Sequence, residues 1–454
     1  MDKTRIKTYI SVAIVLLAGI AAVLAGSGIS SYSDDQSSGI VIDFANRNVE
    51  WTSMSYDTYD DPISALTYAC EYQDFTLTIT DNKVTEINGV ENDTSGTWGL
   101  WVIEIGSTSW TKVYDYSITM SSYTLVSWSF RDDSGTPTVG LDKVGNSIYG
   151  YSQAYRIVTI APSVTETVSS VGASSAIVGT DIYSNYPDVM AEGQASGLIT
   201  LVGGYTNPSY EMVVKCDPDM VVCYGGQQSH IELAEKLKKV GINTIVFYEG
   251  EDMETLYDNI FIAGMVLGYE MGAESTLESI QSAVGEIENV LDSDPSILDE
   301  SVMISLSAVK SPWVSGSNTY INDILNITYG TNIYSEEYGW VQVNSETVAQ
   351  YNPSVIIIIN SSYSATQSEY DTLIDNLSAE WKSTDAYKNG QIYLFCETLG
   401  DLASRPSPRL AQLTELLART LHGELFDDGI SIPKYLGDDY EEYLTITKNL
   451  DFNK

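Results

Sequence analysis

The chain has 454 residues, 43% of them hydrophobic, which is enough for several packed domains and excludes a globally disordered protein. Its 62 acidic residues outnumber 22 basic ones, and the formal net charge is −40. Such a charge excludes nucleic acid and anionic lipid headgroups as partners of the surface as a whole. It favours a soluble, strongly hydrated surface.

The first 26 residues have the pattern of a membrane signal. Lys3, Arg5 and Lys7 precede an uncharged apolar stretch, residues 9–26, which is about long enough to cross a bilayer. Acidic residues follow it, so the positive-inside rule places the rest of the chain on the extracytoplasmic face of the cell membrane. We expect the segment either to remain as a membrane tether or to be cleaved, which would leave a secreted protein.

A linker rich in Ser, Gly and Asp covers residues 27–39 and leads into a small β-rich domain, residues 40–130. Within this domain, short runs rich in Thr, Tyr and Trp alternate between apolar and polar residues, which is typical of strands. One helix is expected near residues 62–70. A second linker, rich in Gly, Ser, Asp and Pro, covers residues 131–153.

From Tyr155 onward, short apolar runs alternate with amphipathic stretches, a pattern that predicts parallel sheets covered by helices on both faces. Apolar side chains recur at helical spacing from Ala273 to Leu291, between two groups of such strand–helix units. The predicted fold class is therefore α/β, with two α/β lobes joined by a single backbone helix. A ligand cleft is expected between the lobes, outside the carboxyl ends of the strands.

The lobes can be bounded from the same pattern. We predict a first lobe at residues 154–250 and connecting helices at residues 251–292. A second lobe is predicted at residues 301–426, followed by an acidic C-terminal tail at residues 427–454. The small β-rich domain and the N-terminal transmembrane or signal helix precede them.

The cysteines and histidines show no spacing typical of a zinc site or a zinc protease, so we expect no metal site and no catalytic cofactor. The cysteines are expected to be small buried side chains, with their disulfide state left open. They are Cys70, Cys216, Cys223 and Cys396.

Several segments from residue 154 to residue 426 resemble, in order, the class III substrate-binding proteins of ABC importers. That family serves the uptake of cobalamin, haem and siderophores. The segments are residues 156–187, 210–222, 312–316, 339–346, 405–410 and 421–426. The resemblance implies a non-enzymatic protein with two lobes bridged by a rigid helix and little domain closure. It also implies a permease dimer as partner, with separate ATPase subunits.

Within that family, the pattern most resembles the cobalamin-binding members, which implies a corrinoid as the transported ligand. A corrinoid is a flat macrocycle with an amide-fringed rim, so its site needs broad aromatic surfaces and a few polar groups. The positions that match the ligand contacts of that pattern are Tyr183, Tyr186, Tyr205, Tyr224, Trp313, Trp340, Asp401 and Arg405. Because the chain has 32 tyrosines, any one of them taken alone can equally be an ordinary core or surface residue.

Glu211 and Glu346 each lie early in a predicted helix, one in each lobe. The helix dipole by itself favours a carboxylate at such a position. The resemblance implies a further role, in which each glutamate docks onto arginines of one permease subunit. Charge pairs of this kind fix the register of a complex and speed its formation.

His230 follows a Gly-Gly sequence near the predicted cleft and is a candidate axial ligand for cobalt or haem iron. The commoner arrangement for such a residue is an exposed histidine in the first turn of a helix. His422 lies in the last segment of the resemblance and is interpreted as structural.

Three segments of the β-rich domain resemble the small β-domain of transcobalamin-like proteins. They are residues 84–90, 96–102 and 125–130, and they include Trp98, Trp101 and Trp128. The resemblance implies a module that caps or hands over a corrinoid. The alternative is a spacer domain whose tryptophans form its own core.

Three other functions fit the sequence less well. A haem or ferric-siderophore carrier of the same importer class is the alternative, but Arg405 alone offers little cationic lining for an anionic siderophore. A chelatase-like enzyme would need a buried acid–base or metal constellation, which the two histidines do not suggest. A surface protein with no transport role would leave the resemblance over residues 156–426 unexplained.

Overall fold

The computed structural model describes residues 39–44, 49–54, 58–104, 110–131, 142–144 and 153–452. In these ranges, no helix combines the length and the apolar character that a membrane crossing requires. The predicted membrane segment, residues 1–26, lies outside the described residues, as does nearly all of the first linker.

The N-terminal part of the described chain is a β-rich module. Its elements are β1 (Gly39–Asp43), β2 (Val49–Ser53), α1 (Pro62–Tyr72), β3 (Leu77–Thr80), β4 (Lys83–Ile87), β5 (Val90–Glu91), β6 (Thr97–Glu104), β7 (Thr111–Val113), a 3₁₀ turn (Met120–Ser122) and β8 (Tyr123–Arg131). Five strands form one sheet in the order β2-β1-β8-β6-β7, and β3, β4 and β5 form another. Trp98 and Trp128 are buried in the core of this module. These two tryptophans of the transcobalamin-like resemblance therefore fill the module's own core.

The first lobe contains a sheet of five strands, β9 (Ile157–Thr159), β10 (Ile177–Thr180), β11 (Thr200–Leu201), β14 (Met220–Tyr224) and β15 (Thr244–Phe247). These strands are parallel and lie in the order β11-β10-β9-β14-β15. A separate antiparallel hairpin is formed by β12 (Gly203–Gly204) and β13 (Asn207–Pro208). Its helices are α2 (Pro162–Val168), a π-helical turn (Ser169–Ala173), a 3₁₀ turn (Ser174–Ala176), α3 (Asp188–Ser196), α4 (Tyr210–Lys215) and α5 (Gln228–Lys238). The apolar strand residues are buried because helices cover both faces of the sheet.

Two helices, α6 (Met253–Leu267) and α7 (Glu270–Leu291), lead into the second lobe. Its strands are β16 (Glu300–Ser305), β17 (Trp313–Ser315), β18 (Gly330–Asn332), β19 (Trp340–Gln342), β20 (Val355–Asn360), β21 (Ile392–Cys396) and β22 (Tyr435–Leu436). Its helices are α8 (Tyr320–Ile327), α9 (Ser345–Tyr351), α10 (Gln367–Asp375), α11 (Ala379–Lys382), α12 (Asp385–Lys388), α13 (Glu397–Ala403), α14 (Leu410–His422) and two 3₁₀ turns (Gly423–Leu425 and Tyr440–Tyr443). The strand order is β19-β17-β16-β20-β21-β22, and β18 also pairs with β16. Only β17 and β19 run antiparallel to their neighbours among these described strands.

The long helix α7 connects the lobes, at the place where the helical periodicity predicted it. It packs against the π-helical turn of the first lobe, where Thr276 Oγ1 donates to Ser170 O at 2.8 Å. It also packs against α14 of the second lobe, and Ile287 shares a buried cluster with Ala418. Its 22 residues correspond to roughly 33 Å of continuous helix, so one rigid element spans both lobes.

The segment predicted as an acidic tail, residues 427–454, packs on the second lobe throughout its described part. Its strand β22 pairs in parallel with β21, and Leu436 and Phe452 are buried in the core. The buried carboxylate of Glu415 accepts a hydrogen bond from Thr447 N at 2.7 Å. The tail prediction differs from the structure because the acidic composition concealed a few widely spaced apolar anchors.

Part of the second predicted linker, residues 131–153, also packs on the first lobe. Lys143 N donates to Val246 O at 2.9 Å, and Val246 N donates to Asp142 Oδ2 at 3.0 Å. The Lys143 ammonium lies 2.7 Å from the carboxylate of Glu251. Residues 142–144 of this linker therefore pack against β15, the edge strand of the first-lobe sheet.

A buried ion network joins the two lobes. Glu166, on α2 of the first lobe, accepts hydrogen bonds from Arg405 Nη1 at 2.9 Å and from Arg409 Nε and Nη2 at 2.9 and 2.7 Å. Ser407 Oγ donates to the same carboxylate at 2.6 Å. All four residues are buried. The network therefore fixes the lobes to each other, because removing either partner would leave a buried charge unpaired.

Removing the carboxylate should destabilise the two-lobed domain strongly. We expect Glu166→Gln to lower the free energy of unfolding by about 3–5 kcal/mol, because two buried guanidinium groups lose their counter-charge. Urea denaturation measures this change. The matched control is Lys388→Ala, which breaks an exposed ion pair with Asp385 and should cost less than about 1 kcal/mol. Equal shifts in the two variants would contradict a structural role for the network.

The same network predicts a pH dependence. Burial alone would raise the pKa of Glu166, but Arg409 and Arg405 bring it below its ordinary value of 4.5. A carboxyl group whose pKa is lower in the folded state stabilises the protein above its unfolded-state pKa, and this contribution is lost as the pH falls further. The stability difference between wild type and Glu166→Gln should therefore be constant near neutral pH and shrink below pH 4.5. Urea midpoints recorded from pH 7 to pH 3 measure it.

Candidate functional site: a pocket between the lobes

A pocket of about 450 Å³ lies between the two lobes and is lined by both. The first lobe contributes the residues at the ends of β10, β12 and β14 and at the start of α2. They are Pro162, Ser163, Tyr183, Tyr205, Thr206, Asn207 and Tyr224. The second lobe contributes α13 and the loop after it, with Asp401, Ser404, Arg405 and Pro406. The pocket therefore adjoins the Glu166 network, since Arg405 belongs to both.

Five of the eight predicted ligand contacts line this pocket: Tyr183, Tyr205, Tyr224, Asp401 and Arg405. Tyr186 is not among the lining residues. Its ring packs on the core, and the guanidinium carbon of Arg409 lies 3.9 Å from the ring centroid. In this structure Tyr186 therefore covers the Glu166 network from the side.

The two predicted tryptophans lie on neighbouring antiparallel strands of the second lobe, outside the pocket lining. Trp313 pairs with Gln342 on the adjacent strand, and Trp340 pairs with Ser315. Directly opposed residues share a face of a sheet, so both tryptophans lie on the same face of this ladder. Trp313 is 47% exposed, and Trp340 packs against the interlobe core cluster that Tyr205 and Tyr224 also contact.

The first-lobe wall of the pocket is a pair of tyrosines. The ring centroids of Tyr205 and Tyr224 are 6.2 Å apart, with planes inclined at 42°. Tyr224 Oη donates to Glu249 O at 2.8 Å. Burial raises the pKa of Tyr205 to about 12 and raises the pKa of Tyr224 as well, so both phenols stay protonated at neutral pH.

The loop after β14 passes very close to the Tyr224 ring. A Cβ atom on Gly226 would lie 2.6 Å from Tyr224 Cε1 and 2.8 Å from its Oη. Glycine at this position therefore lets the main chain cover the edge of the ring.

His230 differs from both expectations stated for it. The residue is fully buried, so it is not an exposed first-turn histidine. Its Nε2 lies 2.6 Å from Tyr205 O, and Tyr224 N donates to its Nδ1 at 3.4 Å. Both ring nitrogens are engaged with main-chain groups, so His230 is not placed to act as an axial metal ligand in the cleft. In the described part of the chain, no other cluster of metal-ligating side chains is present either.

The second-lobe wall carries a compensated ion pair. Arg405 Nη2 lies 2.7 Å from Asp401 Oδ2, one helical turn away. Asn185, from the first lobe, donates to Asp401 at 3.0 Å and accepts from Arg405 Nη1 at 2.7 Å. Sequence reasoning did not single out Asn185 or Glu166, although both lie in a segment of the resemblance. Among the described lining residues Arg405 is the only basic one, and its charge is balanced by two carboxylates.

Glu211 and Glu346 lie at equivalent places in the two lobes. Each is exposed in the first turn of a short helix, α4 or α9. The two helices begin in the same way, with side-chain N-caps from Ser209 and Asn344. A polar cap holds each helix start, and the glutamate beside it projects from the surface of its lobe.

All four cysteines are buried and free, which agrees with their interpretation as small core residues. They are Cys70, Cys216, Cys223 and Cys396.

The close approach at Gly226 can be tested by substitution. Gly226→Ala should displace the Tyr224 ring or the loop and destabilise the first lobe by about 1–3 kcal/mol, the usual cost of overpacking. Gly285→Ala is the control, because no atom of another described residue in contact range lies within 4 Å of a Cβ there and Gly285 is inside helix α7. It should be neutral or stabilising. Urea denaturation and the near-ultraviolet dichroism of the tyrosines provide the two readouts, and an unchanged tyrosine spectrum for Gly226→Ala would contradict the contact.

The described chain from residue 153 onward thus consists of two α/β lobes, a long connecting helix and a pocket between the lobes. Residues 157–397, more than half of the chain, match the family model described as periplasmic binding protein. The chain belongs to this family.

Comparison with individual proteins gives more distant similarities. The chain is 24% identical over 274 residues to YvrC of Bacillus subtilis, an uncharacterized ABC transporter substrate-binding lipoprotein, with 60% of this chain and 82% of YvrC covered. It is 21% identical over 293 residues to a cobalamin-binding protein of Halobacterium salinarum, with coverage of 63% and 74%. CeuE of Helicobacter pylori, solved as a nickel–histidine complex, superposes with a TM-score of 0.52 at 20% identity, covering 66% of this chain and 93% of CeuE. The last similarity concerns the fold alone.

Proposed function

We propose that this protein is the extracytoplasmic substrate-binding component of an ABC importer and that its ligand is a cobalamin-type corrinoid. Family membership and the similarity to YvrC support the importer role. The ligand assignment rests mainly on one observation, the charge balance of the pocket at Arg405.

Arg405 has little capacity left for an anionic ligand. Its guanidinium contacts the carboxylates of Glu166 and Asp401 and the side-chain oxygen of Asn185. With Arg409 included, two carboxylates face two guanidinium groups, so this set of side chains is neutral as a whole. Haem carries two propionates and ferric siderophores are usually anionic, whereas the corrin ring is fringed by uncharged amides. A neutral pocket wall therefore favours the corrinoid.

The aromatic surfaces support the same ligand. Tyr205 and Tyr224 present one aromatic wall from the first lobe, and Trp313 and Trp340 lie on one face of a ladder in the second. Aromatic rings give large apolar contact with a flat macrocycle. Asn207 and Ser163 in the pocket lining supply groups that can bond to amides of the rim. The similarity to a cobalamin-binding protein is consistent with this assignment.

Docking to the permease is assigned to Glu211 and Glu346. Each is an exposed carboxylate at the start of a helix, with one in each lobe. A dimeric permease would present two equivalent basic sites to such a pair. The N-terminal hydrophobic segment, residues 1–26, would hold the protein at the outer face of the membrane, close to that partner.

The first test is calorimetric titration of the full-length protein with cyanocobalamin and cobinamide. We expect submicromolar binding of both, with haem and a ferric siderophore binding much more weakly. Tight binding of haem or the siderophore without corrinoid binding would retain the importer class and overturn the ligand assignment.

A second test separates ligand binding from transport. Trp340→Ala should weaken cyanocobalamin binding about tenfold, because one large aromatic contact is lost. Tyr338→Ala is its control, because Tyr338 is an aromatic residue of the same lobe that is 75% exposed, whereas Trp340 packs against the core cluster that Tyr205 and Tyr224 also contact. Equilibrium titration provides the measurement.

Loss of the docking role should leave ligand binding unchanged and abolish transport. The double variant Glu211→Ala, Glu346→Ala should bind cyanocobalamin like wild type but fail to support uptake of labelled cyanocobalamin in cells that contain the importer. Glu336→Ala, an exposed carboxylate of the second lobe in a turn, should leave both activities unchanged. Loss of binding in the double variant would refute this division of roles.

A further inference from the structure

His230 joins two separate chain segments behind the tyrosine wall of the pocket. Its imidazole is fully buried beneath the β12–β13 hairpin, which carries Tyr205, and the end of strand β14, which carries Tyr224. The ring centroid of His230 lies 5.4 Å from that of Tyr205 and 6.5 Å from that of Tyr224, and both pairs have edge-on geometry. The same imidazole thus lies against both tyrosines that line the pocket.

The hydrogen bonds of this imidazole define its tautomer. Tyr224 N can only donate, so Nδ1 must accept from it across 3.4 Å. The proton of the neutral ring is therefore on Nε2, which donates to Tyr205 O across 2.6 Å. A protonated ring would place an N–H at Nδ1 directly against the N–H of Tyr224, and one of the two contacts would have to break.

Among the residues that the structure describes, few other ionisable groups face this ring. Tyr205 approaches from the hairpin and Tyr224 from β14, and burial raises the pKa of both phenols, so they stay neutral. Asp181, buried after β10, acts on His230 as a negative charge, but its oxygens already accept from Tyr183 N and Ala161 N. Burial lowers the pKa of His230, and the Tyr205 carbonyl and Asp181 oppose that shift only in part.

We propose that His230 is the positioning residue of the ligand site, holding Tyr205 and Tyr224 in the arrangement that binds the ligand and releasing them when its ring becomes protonated. The identity of the ligand in this inference rests on the proposed function. The hydrogen bonds and the burial carry the inference itself. Because the folded state disfavours the charged ring, lowering the pH below the ordinary histidine value of 6.5 populates the released form. Ligand affinity should fall in the same range.

Substitutions can separate the two hydrogen bonds. In His230→Gln, the side-chain amide can still donate toward Tyr205 O, and in His230→Asn, the side-chain oxygen can still accept from Tyr224 N. His230→Leu keeps the apolar volume and loses both bonds. We expect His230→Leu to weaken cyanocobalamin binding at pH 7.5 about tenfold, and His230→Gln to recover most of this loss since it keeps the shorter bond. His422→Gln, which changes the only other histidine of the chain, should bind like wild type.

The pH profile distinguishes positioning from general stability. Wild-type affinity should fall several-fold between pH 7.5 and pH 5.5. His230→Gln should show a flat profile, because it removes the ring whose protonation is proposed to weaken binding and leaves every other group of the pocket unchanged. Equal affinity of wild type, His230→Gln, His230→Asn and His230→Leu at pH 7.5 would overturn the proposal. A wild-type pH dependence that persists in His230→Gln would also overturn it.

A ligand-free measurement keeps this inference separate from the proposed function. In nitrogen-15 spectra of the full-length protein, the two histidine rings can be assigned by comparison with His422→Gln. We expect His230 in the neutral form with the proton on Nε2 at pH 6.5. A charged ring or the opposite tautomer would overturn the positioning role, even if wild type binds cyanocobalamin. Failure of wild type to bind any corrinoid, with the expected tautomer present, would count against the ligand assignment alone.

Discussion

A single buried carboxylate, Glu166, determines how the two lobes meet. It comes from the first lobe, and the two guanidinium groups that neutralise it, Arg405 and Arg409, come from the second. Neither half of this network can be buried alone without leaving an unpaired charge in the protein interior. The helix α7 sets the distance between the lobes, and the ion network sets their mutual orientation. Together they fix the position of the two pocket walls relative to each other.

The same network also influences the chemistry of the pocket. Arg405 lines the cleft, but the contact with Glu166 and the ion pair with Asp401 have already engaged its charge. A cation used to join the lobes is not free to attract an anion. The structural requirement thus leaves aromatic area and uncharged polar groups as the main means of recognition in the cleft, which is the chemistry that the proposed corrinoid ligand needs.

The layers of the fold could be predicted from the sequence, because apolar strand runs and the helical spacing up to Leu291 are local patterns. The Asp401–Arg405 pair is also local, one turn apart on a helix. Glu166 and its partner Arg405 are 239 residues apart, and no local pattern links them. The burial of His230 is likewise a tertiary property, since its helix start lies beneath a hairpin that the sequence did not predict. The packed C-terminal segment was missed because its few apolar anchors are diluted by acidic residues.

The tyrosines of the site form two layers with different physical roles. Tyr205 and Tyr224 face the cleft, whereas Tyr186 lies behind it with its ring against the guanidinium of Arg409. A motif that matches aromatic positions cannot separate these roles, because both layers need large, partly polar rings. The front layer is held in place from behind by main-chain bonds to His230 and by the absence of a side chain at Gly226. The binding geometry of such a wall therefore depends as much on residues that never touch the ligand as on the rings that do.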